Sequence, residues 1–146
     1  MPVIRRTTGK GLDGLIQYVQ DMENEKVLVG VTKSTNGGRN AVIAMTHEFG
    51  SPVKNIPERS FLRSTLLENG DEYARLLANE IPNAIQSGAL LSAEAYGRLG
   101  LKVSNDVKLK LASGDFAPLS QRTIDRKGSS KPLIDTGELR QSILGN

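Results

Sequence analysis

The sequence predicts an α+β fold in which a small antiparallel sheet packs against two long helices, with an extended loop or arm beside them. Three features predict it. Residues 26–32 alternate in the two-residue period of a strand. Residues between Pro57 and Pro82, and between Asn83 and Leu111, carry 3.6-residue apolar rhythms. From Ser113 onward, Gly114, Pro118, Gly128, Pro132 and Gly137 break any long element. Residues 1–112 are expected to form the α+β core, and residues 113–146 an arm and C-terminal helix of the same single domain.

Taken in order, Leu12, Leu15, Ile16, Val19 and Met22 recur at helical spacing opposite Asp13, Gln17, Gln20 and Asp21. This is a short amphipathic helix that needs a sheet or another helix to cover it. Val27, Val29 and Val31 then share one face of a β-branched strand, and Gly30 on the other face suggests a close neighbour or a bulge. Ser34 to Gly38 is a turn by composition. Val42, Met45 and Phe49 mark the stripe of a helix over Arg39 to Phe49, ended by Gly50 and Pro52, with a loop from Ser51 to Pro57.

Pro57 suits the start of the next helix, whose stripe includes Phe61, Leu62, Tyr73 and Leu77. Gly70 weakens it, and Pro82 ends or kinks it. The following pattern places Ile85, Ala89, Tyr96, Leu99, Val103, Val107 and Leu111 on one stripe. Gly88, Ala89, Ala93, Ala95, Gly97 and Gly100 leave parts of that helix nearly bare, so another backbone can approach closely, and contact with another helix is expected there. In the arm, one or two helical turns over Leu119 to Arg126 are expected with Ser120 as a cap. Asp135 or Thr136 would cap a last helix, Leu139 to Leu144.

Composition narrows the functional classes. Aromatic residues are 4% of the chain and Trp is absent, so the core is built from Leu, Ile, Val and Ala, and a core this lean favours burial against other subunits. The absence of cysteine removes disulfides and thiolate chemistry and points to production in a cytosol. No apolar run approaches the ~20 residues that cross a bilayer, and Met1 to Lys10 lacks the apolar centre of a secretory signal; a soluble protein is expected.

A net charge of +3 is small for nucleic-acid binding, although Arg98 to Lys131 holds eight basic and three acidic residues. The single histidine, His47, has no second histidine, cysteine or nucleophile at a defined spacing, so neither catalysis nor a metal is expected, and no cofactor. Asp135-Thr136-Gly137 occurs once and suits a helix cap better than a carboxylate pair.

Two composite stretches stand out. The first is His47-Glu48-Phe49-Gly50-Ser51-Pro52 followed by Ile56-Pro57-Glu58-Arg59-Ser60-Phe61-Leu62-Arg63. The second runs from Phe116-Ala117-Pro118-Leu119-Ser120 through Arg126-Lys127-Gly128 to Lys131-Pro132-Leu133-Ile134-Asp135-Thr136-Gly137-Glu138-Leu139-Arg140-Gln141-Ser142-Ile143. Together they resemble small virion proteins of tailed bacteriophages, described as tail-completion, neck, minor tail or virion-morphogenesis proteins. Those proteins carry a helix ending in Glu-Phe-Gly, a loop with Ile-Pro-x-Arg-Pro-Phe-Leu-Arg and a late Pro-Leu-Ile-Asp-Thr-Gly-Glu-Leu-Arg in the same order. The resemblance covers essentially the whole chain; Ser60 stands where proline is common.

The resemblance implies a non-enzymatic structural protein, made in the host bacterial cytoplasm and placed in the virion at the neck or tail end. Its partners would be copies of itself in a ring, other neck, connector or tail proteins, and packaged DNA at close range. One departure is that those proteins continue into a further strand where this sequence ends at Ile143-Leu144-Gly145-Asn146, so the sheet is expected to be smaller here or completed by a neighbour through strand addition. Candidate contact residues are Ile56, Arg59, Phe61, Leu62 and Arg63 from the first stretch, and Phe116, Leu119, Arg126, Lys127, Leu133 and Arg140 from the second. Phe61 and Leu62 offer an apolar anchor, with Arg59 and Arg63 set to reach carboxylates. The arm from Ser113 to Lys131 is expected to settle only against a neighbour. The alternative is a small basic nucleic-acid-binding protein using Arg98 to Lys131.

Overall fold

A computed structural model describes residues 12–13, 16–17, 19–20, 23, 25–32, 36–87, 93–128, 130–132 and 137–145. The described chain is α+β, with a two-stranded antiparallel sheet and several helices. Strand β1 (Val29–Val31) pairs with β2 (Ile143–Gly145) in the register Val29↔Gly145, Gly30↔Leu144, Val31↔Ile143. Between them lie helices α1 (Arg39–Phe49), α2 (Leu62–Ala78), α3 (Ile81–Ser87), α4 (Ala93–Ser113), α5 (Gln121–Lys127) and α6 (Glu138–Gln141).

The core gathers on one face of α4. Leu99, Val103, Val107 and Leu111 are buried there with Phe61, Tyr73 and Ile143, and Val27, Val29 and Val31 pack against them. The predicted valine face and the predicted α4 stripe therefore meet each other. On the exposed side of the contact between α2 and α4, Lys110 Nζ reaches Glu68 at 2.7 Å and Lys102 Nζ reaches Glu72 at 3.3 Å, while within α4 Lys102 Nζ reaches Asp106 at 2.7 Å. Tyr73 donates its hydroxyl to Asp106 Oδ2 at 2.8 Å; burial, then that carboxylate, raises the phenol's pKa.

Several expectations are corrected. An added Cβ on Gly30 would meet nothing within 4 Å, so no close neighbour explains that glycine; the close approach is at Gly145, where a Cβ would lie 2.1 Å from the Gly100 carbonyl oxygen. Gly100 thus does admit another backbone, but the visitor is the strand β2 rather than a helix, and a Cβ on Gly97 would meet nothing within 4 Å. Helix α2 starts at Leu62 rather than Pro57, for a reason that lies in the candidate site. Pro82 does mark a break, as the second residue of α3, where its missing amide proton costs little. The long rhythm of residues 83–111 divides between α3 and α4, with residues 88–92 outside the described set.

The last helix stops at Gln141 instead of Leu144. Ile143, β-branched and fully buried, is worth more as a core residue of β2 than as a further helical turn. Leu133 and the two candidate caps, Asp135 and Thr136, lie outside the described residues.

Helix α1 has the predicted bounds but faces the other way. Asn40 and Glu48 are buried and Ala44 packs on the core, whereas Val42, Met45 and Phe49 are 64%, 64% and 59% exposed. Near the N-terminus, Leu12, Asp13, Ile16, Gln17, Val19, Gln20 and Glu23 are helical. Leu12, Ile16 and Val19 are exposed there as well.

Candidate functional site

The described parts of the two composite stretches form one joint. Glu48, at the last turn of α1, turns inward and accepts hydrogen bonds from the backbone amides of Phe61 (2.9 Å), Leu62 (2.9 Å) and Arg63 (3.0 Å). Its carboxylate also accepts from the Ser60 hydroxyl at 2.8 Å and from Arg63 Nε at 2.9 Å. The first amides of a helix have no partner inside it and sit at the positive end of its dipole, so a carboxylate from another helix can cap it. This fixes the start of α2 at Leu62, five residues past Pro57. Burial by itself would raise the Glu48 pKa, but the Leu62 and Arg63 amides, with Ser60 and the Arg63 side chain, outweigh it and hold the carboxyl below the ordinary value.

The connecting loop is built to bring these groups together. Gly50 has φ 71°, and a Cβ on it would lie 2.9 Å from the Glu58 amide nitrogen, so the glycine of Glu-Phe-Gly is required twice over. Ser51 and Ile56 then exchange backbone hydrogen bonds of 2.8 and 2.9 Å around a 3-10 turn at Pro52–Lys54. Arg59 follows, its amide donating to the His47 carbonyl at 2.8 Å.

The Arg59 side chain links the second stretch to the first. It is 4% exposed and donates from Nε to the Ala117 carbonyl (2.7 Å) and from Nη2 to the Pro118 carbonyl (2.9 Å). The arm is therefore tied inside its own subunit, and Phe116 rests on the core. A run rich in Gly and Pro gives no hint of this, because the tie is made by a side chain 58 positions earlier.

An open groove of about 1100 Å³ lies over the joint. Its floor and walls include Ile43, His47, Ile56, Pro118 and Leu119, and Arg39, Arg126 and Lys127 bring positive charge. The Nδ1 of His47 is buried with no hydrogen-bond partner among the described residues. Burial first, then the charges of Arg59 and Lys127, lower the His47 pKa, so the ring is neutral at pH 7. No three His, Asp or Glu residues are placed to hold a metal among the described residues.

Of the candidate contact residues, the groove collects Ile56, Arg59, Leu119, Arg126 and Lys127. Phe61, 2% exposed, is packed in the core with Leu62 and Phe116 beside it, so these three are engaged within the subunit rather than offered as anchors. Arg63 stands at the groove's edge, its guanidinium 4.7 Å from the centre of the Phe49 ring. Arg140 is exposed on α6 and is not one of the residues lining the groove.

Reasoning from sequence missed Glu48 as the organising residue and Val42, Met45 and Phe49 as an outward surface. The spacing from Glu48 to Phe61 carries no local periodicity, while the three apolar residues looked like any core stripe. Comparison of the chain with protein-family models, curated proteins and solved structures gives no match.

Proposed function

We propose that this chain is a structural virion protein of a tailed phage, one subunit of a ring at the neck or tail end that joins head to tail. The observation that carries the reading is the reversed helix α1. Its buried side holds the capping carboxylate, and its apolar stripe of Val42, Met45 and Phe49 faces outward beside an arginine-rimmed groove. Three large apolar side chains exposed on one helix, an aromatic and a methionine among them with arginines at the rim, have the composition of a protein–protein contact. The stretches that carry the resemblance to tail-completion and neck proteins form the joint that presents this surface.

Two charged groups at the joint are engaged in structure: Glu48 receives five hydrogen bonds and Arg59 holds two carbonyls. The nucleic-acid reading is weakened because Arg98, Lys102 and Lys110, three of the first four basic residues of that stretch, are in ion pairs with Glu80, Glu72, Asp106 and Glu68. No helix among the described residues is long and apolar enough to cross a membrane.

Electron microscopy of the purified protein, and immunolabelling of particles, test the proposal. Closed rings without DNA and label at the head–tail junction are expected; complete, infectious virions lacking the protein would overturn it. DNA binding that collapses steeply with salt, with no defined oligomer, would favour the nucleic-acid alternative.

A further inference from the structure

The chain carries two exposed apolar stripes of opposite electrostatic setting. One is the α1 stripe, Val42, Met45 and Phe49, next to a groove where Arg39, Arg126 and Lys127 face Glu58 and Glu138. Glu58 is already held by Arg63 at 2.6 Å, so the rim is positive on balance. The other is on the N-terminal helix, where Leu12, Ile16 and Val19 follow one another at intervals of four and three residues and are 65%, 49% and 50% exposed. Between Gly11 and Glu25 the chain has four acidic residues, Asp13, Asp21, Glu23 and Glu25, and no lysine, arginine or histidine.

We infer that the N-terminal helix of one copy docks on the α1 stripe and arginine-rimmed groove of a second copy. Leu12, Ile16 and Val19 lie along Val42, Met45 and Phe49, and the carboxylates of Asp13 and Glu23 on the helix and of Glu25 after it face the basic rim. An amphipathic helix laid in a groove reads its partner through residues at this i, i+4, i+7 spacing. Opposite charges at the rim set orientation and oppose the pairing of two identical faces: stripe on stripe would set arginines against arginines, and helix on helix would set carboxylates against carboxylates. The contact is therefore head-to-tail, the type that closes into a ring. Both stripes are open within one chain, which leaves each available to another copy.

The inference rests on the self-assembly reading and specifies its interface. Sedimentation of the full chain at micromolar concentration separates the two claims. Ile16→Glu damages only the donor helix and Met45→Glu only the acceptor stripe; each puts a carboxylate at an exposed position, so thermal melts should match the parent. Val19→Glu and Val42→Glu replace them if either variant fails that check.

The unaltered chain is expected to form an oligomer and each variant alone to be monomeric, with association weakened about 30-fold or more. An equimolar mixture should give a one-to-one dimer and nothing larger, because one intact donor and one intact acceptor remain. Variants that assemble like the parent overturn this interface and leave self-assembly standing. A mixture that stays monomeric overturns the head-to-tail pairing, and an unaltered chain that is monomeric throughout overturns both claims.

Discussion

The joint around Glu48 and the ion-pair row between α2 and α4 use the same chemistry, carboxylates against cations and amides, to opposite effect. In the joint Glu48 and Arg59 are withdrawn from water. The Glu48 carboxylate has three amides, a hydroxyl and a guanidinium, and Arg59 has two carbonyls. In the row, Glu68, Glu72 and Glu80 meet Lys110, Lys102 and Arg98 with water at hand. A buried polar group left without its partner carries the full cost of desolvation, whereas an exposed pair that is broken is rehydrated. The first region therefore specifies geometry, and the second largely decorates a contact that apolar packing has already made.

The largest test of this contrast is Glu48→Ala. It removes the cap from α2 and leaves three helix-end amides and the Arg63 side chain without their acceptor. A loss of about 3 kcal/mol is expected, read by chemical denaturation. A loss no larger than that of a surface substitution would break the comparison. Next in size is Arg59→Met, which keeps the bulk of the side chain but frees the Ala117 and Pro118 carbonyls. About 2 kcal/mol should be lost, together with faster amide exchange from Phe116 to Lys127 while α4 keeps its protection. Exchange that accelerates uniformly would show that Arg59 supports the whole domain rather than tying down the arm.

What was legible in the sequence divides along the same line. Local periodicity revealed the valine face of β1, the Leu99–Val103–Val107–Leu111 stripe of α4, the limits of α1 and the break at Pro82. Each of those is decided by residues close together in the chain. The helix start at Leu62, the hold of Arg59 on the arm and the pairing of β2 with β1 depend on contacts across 13 to more than 100 positions, where no period exists to read. The orientation of α1 misled for a related reason. An apolar stripe states that water is to be avoided and does not state whether the cover comes from the same chain, while the competing demand, a carboxylate for the amides of α2, turns Glu48 inward and so turns Val42, Met45 and Phe49 outward. The candidate site was legible as motifs, but the groove they form was not.

A smaller effect sharpens the comparison by pH. Burial, aided by Arg59 and Lys127, holds the His47 pKa below its ordinary value of 6.5, so as pH falls below that value the unfolded chain takes up a proton before the folded one does. Stability should decline from about pH 6.5 downward until the folded ring titrates, and His47→Asn should flatten that part of the profile. Glu48 acts in a lower window: its pKa is depressed, so its contribution is complete above the unfolded value of 4.5 and is lost as pH falls through the folded value. Melting temperatures measured between pH 7.5 and pH 3 (roughly the span of both windows) should show two steps in the parent, with only the upper one absent in His47→Asn. A parent profile without the upper step would remove the electrostatic account of the groove.

The smallest expected effect is Glu68→Gln in the ion-pair row. The Lys110 Nζ to Glu68 distance of 2.7 Å equals that from Arg59 to the Ala117 carbonyl and is shorter than the 2.8 Å from the Ser60 hydroxyl to Glu48, so distance alone would rank the two regions equally. Exposure ranks them differently, because Glu68 is 56% exposed and water replaces the carboxylate as a partner for Lys110 at little cost. A change within about 0.5 kcal/mol is expected, shrinking further in 0.5 M salt (roughly a 4 Å screening length), and the Phe61, Val107 and Ile143 core should hold α2 against α4 unaided. A loss comparable with that of Glu48→Ala would mean that the row, and not the core beneath it, sets the pairing of the two helices.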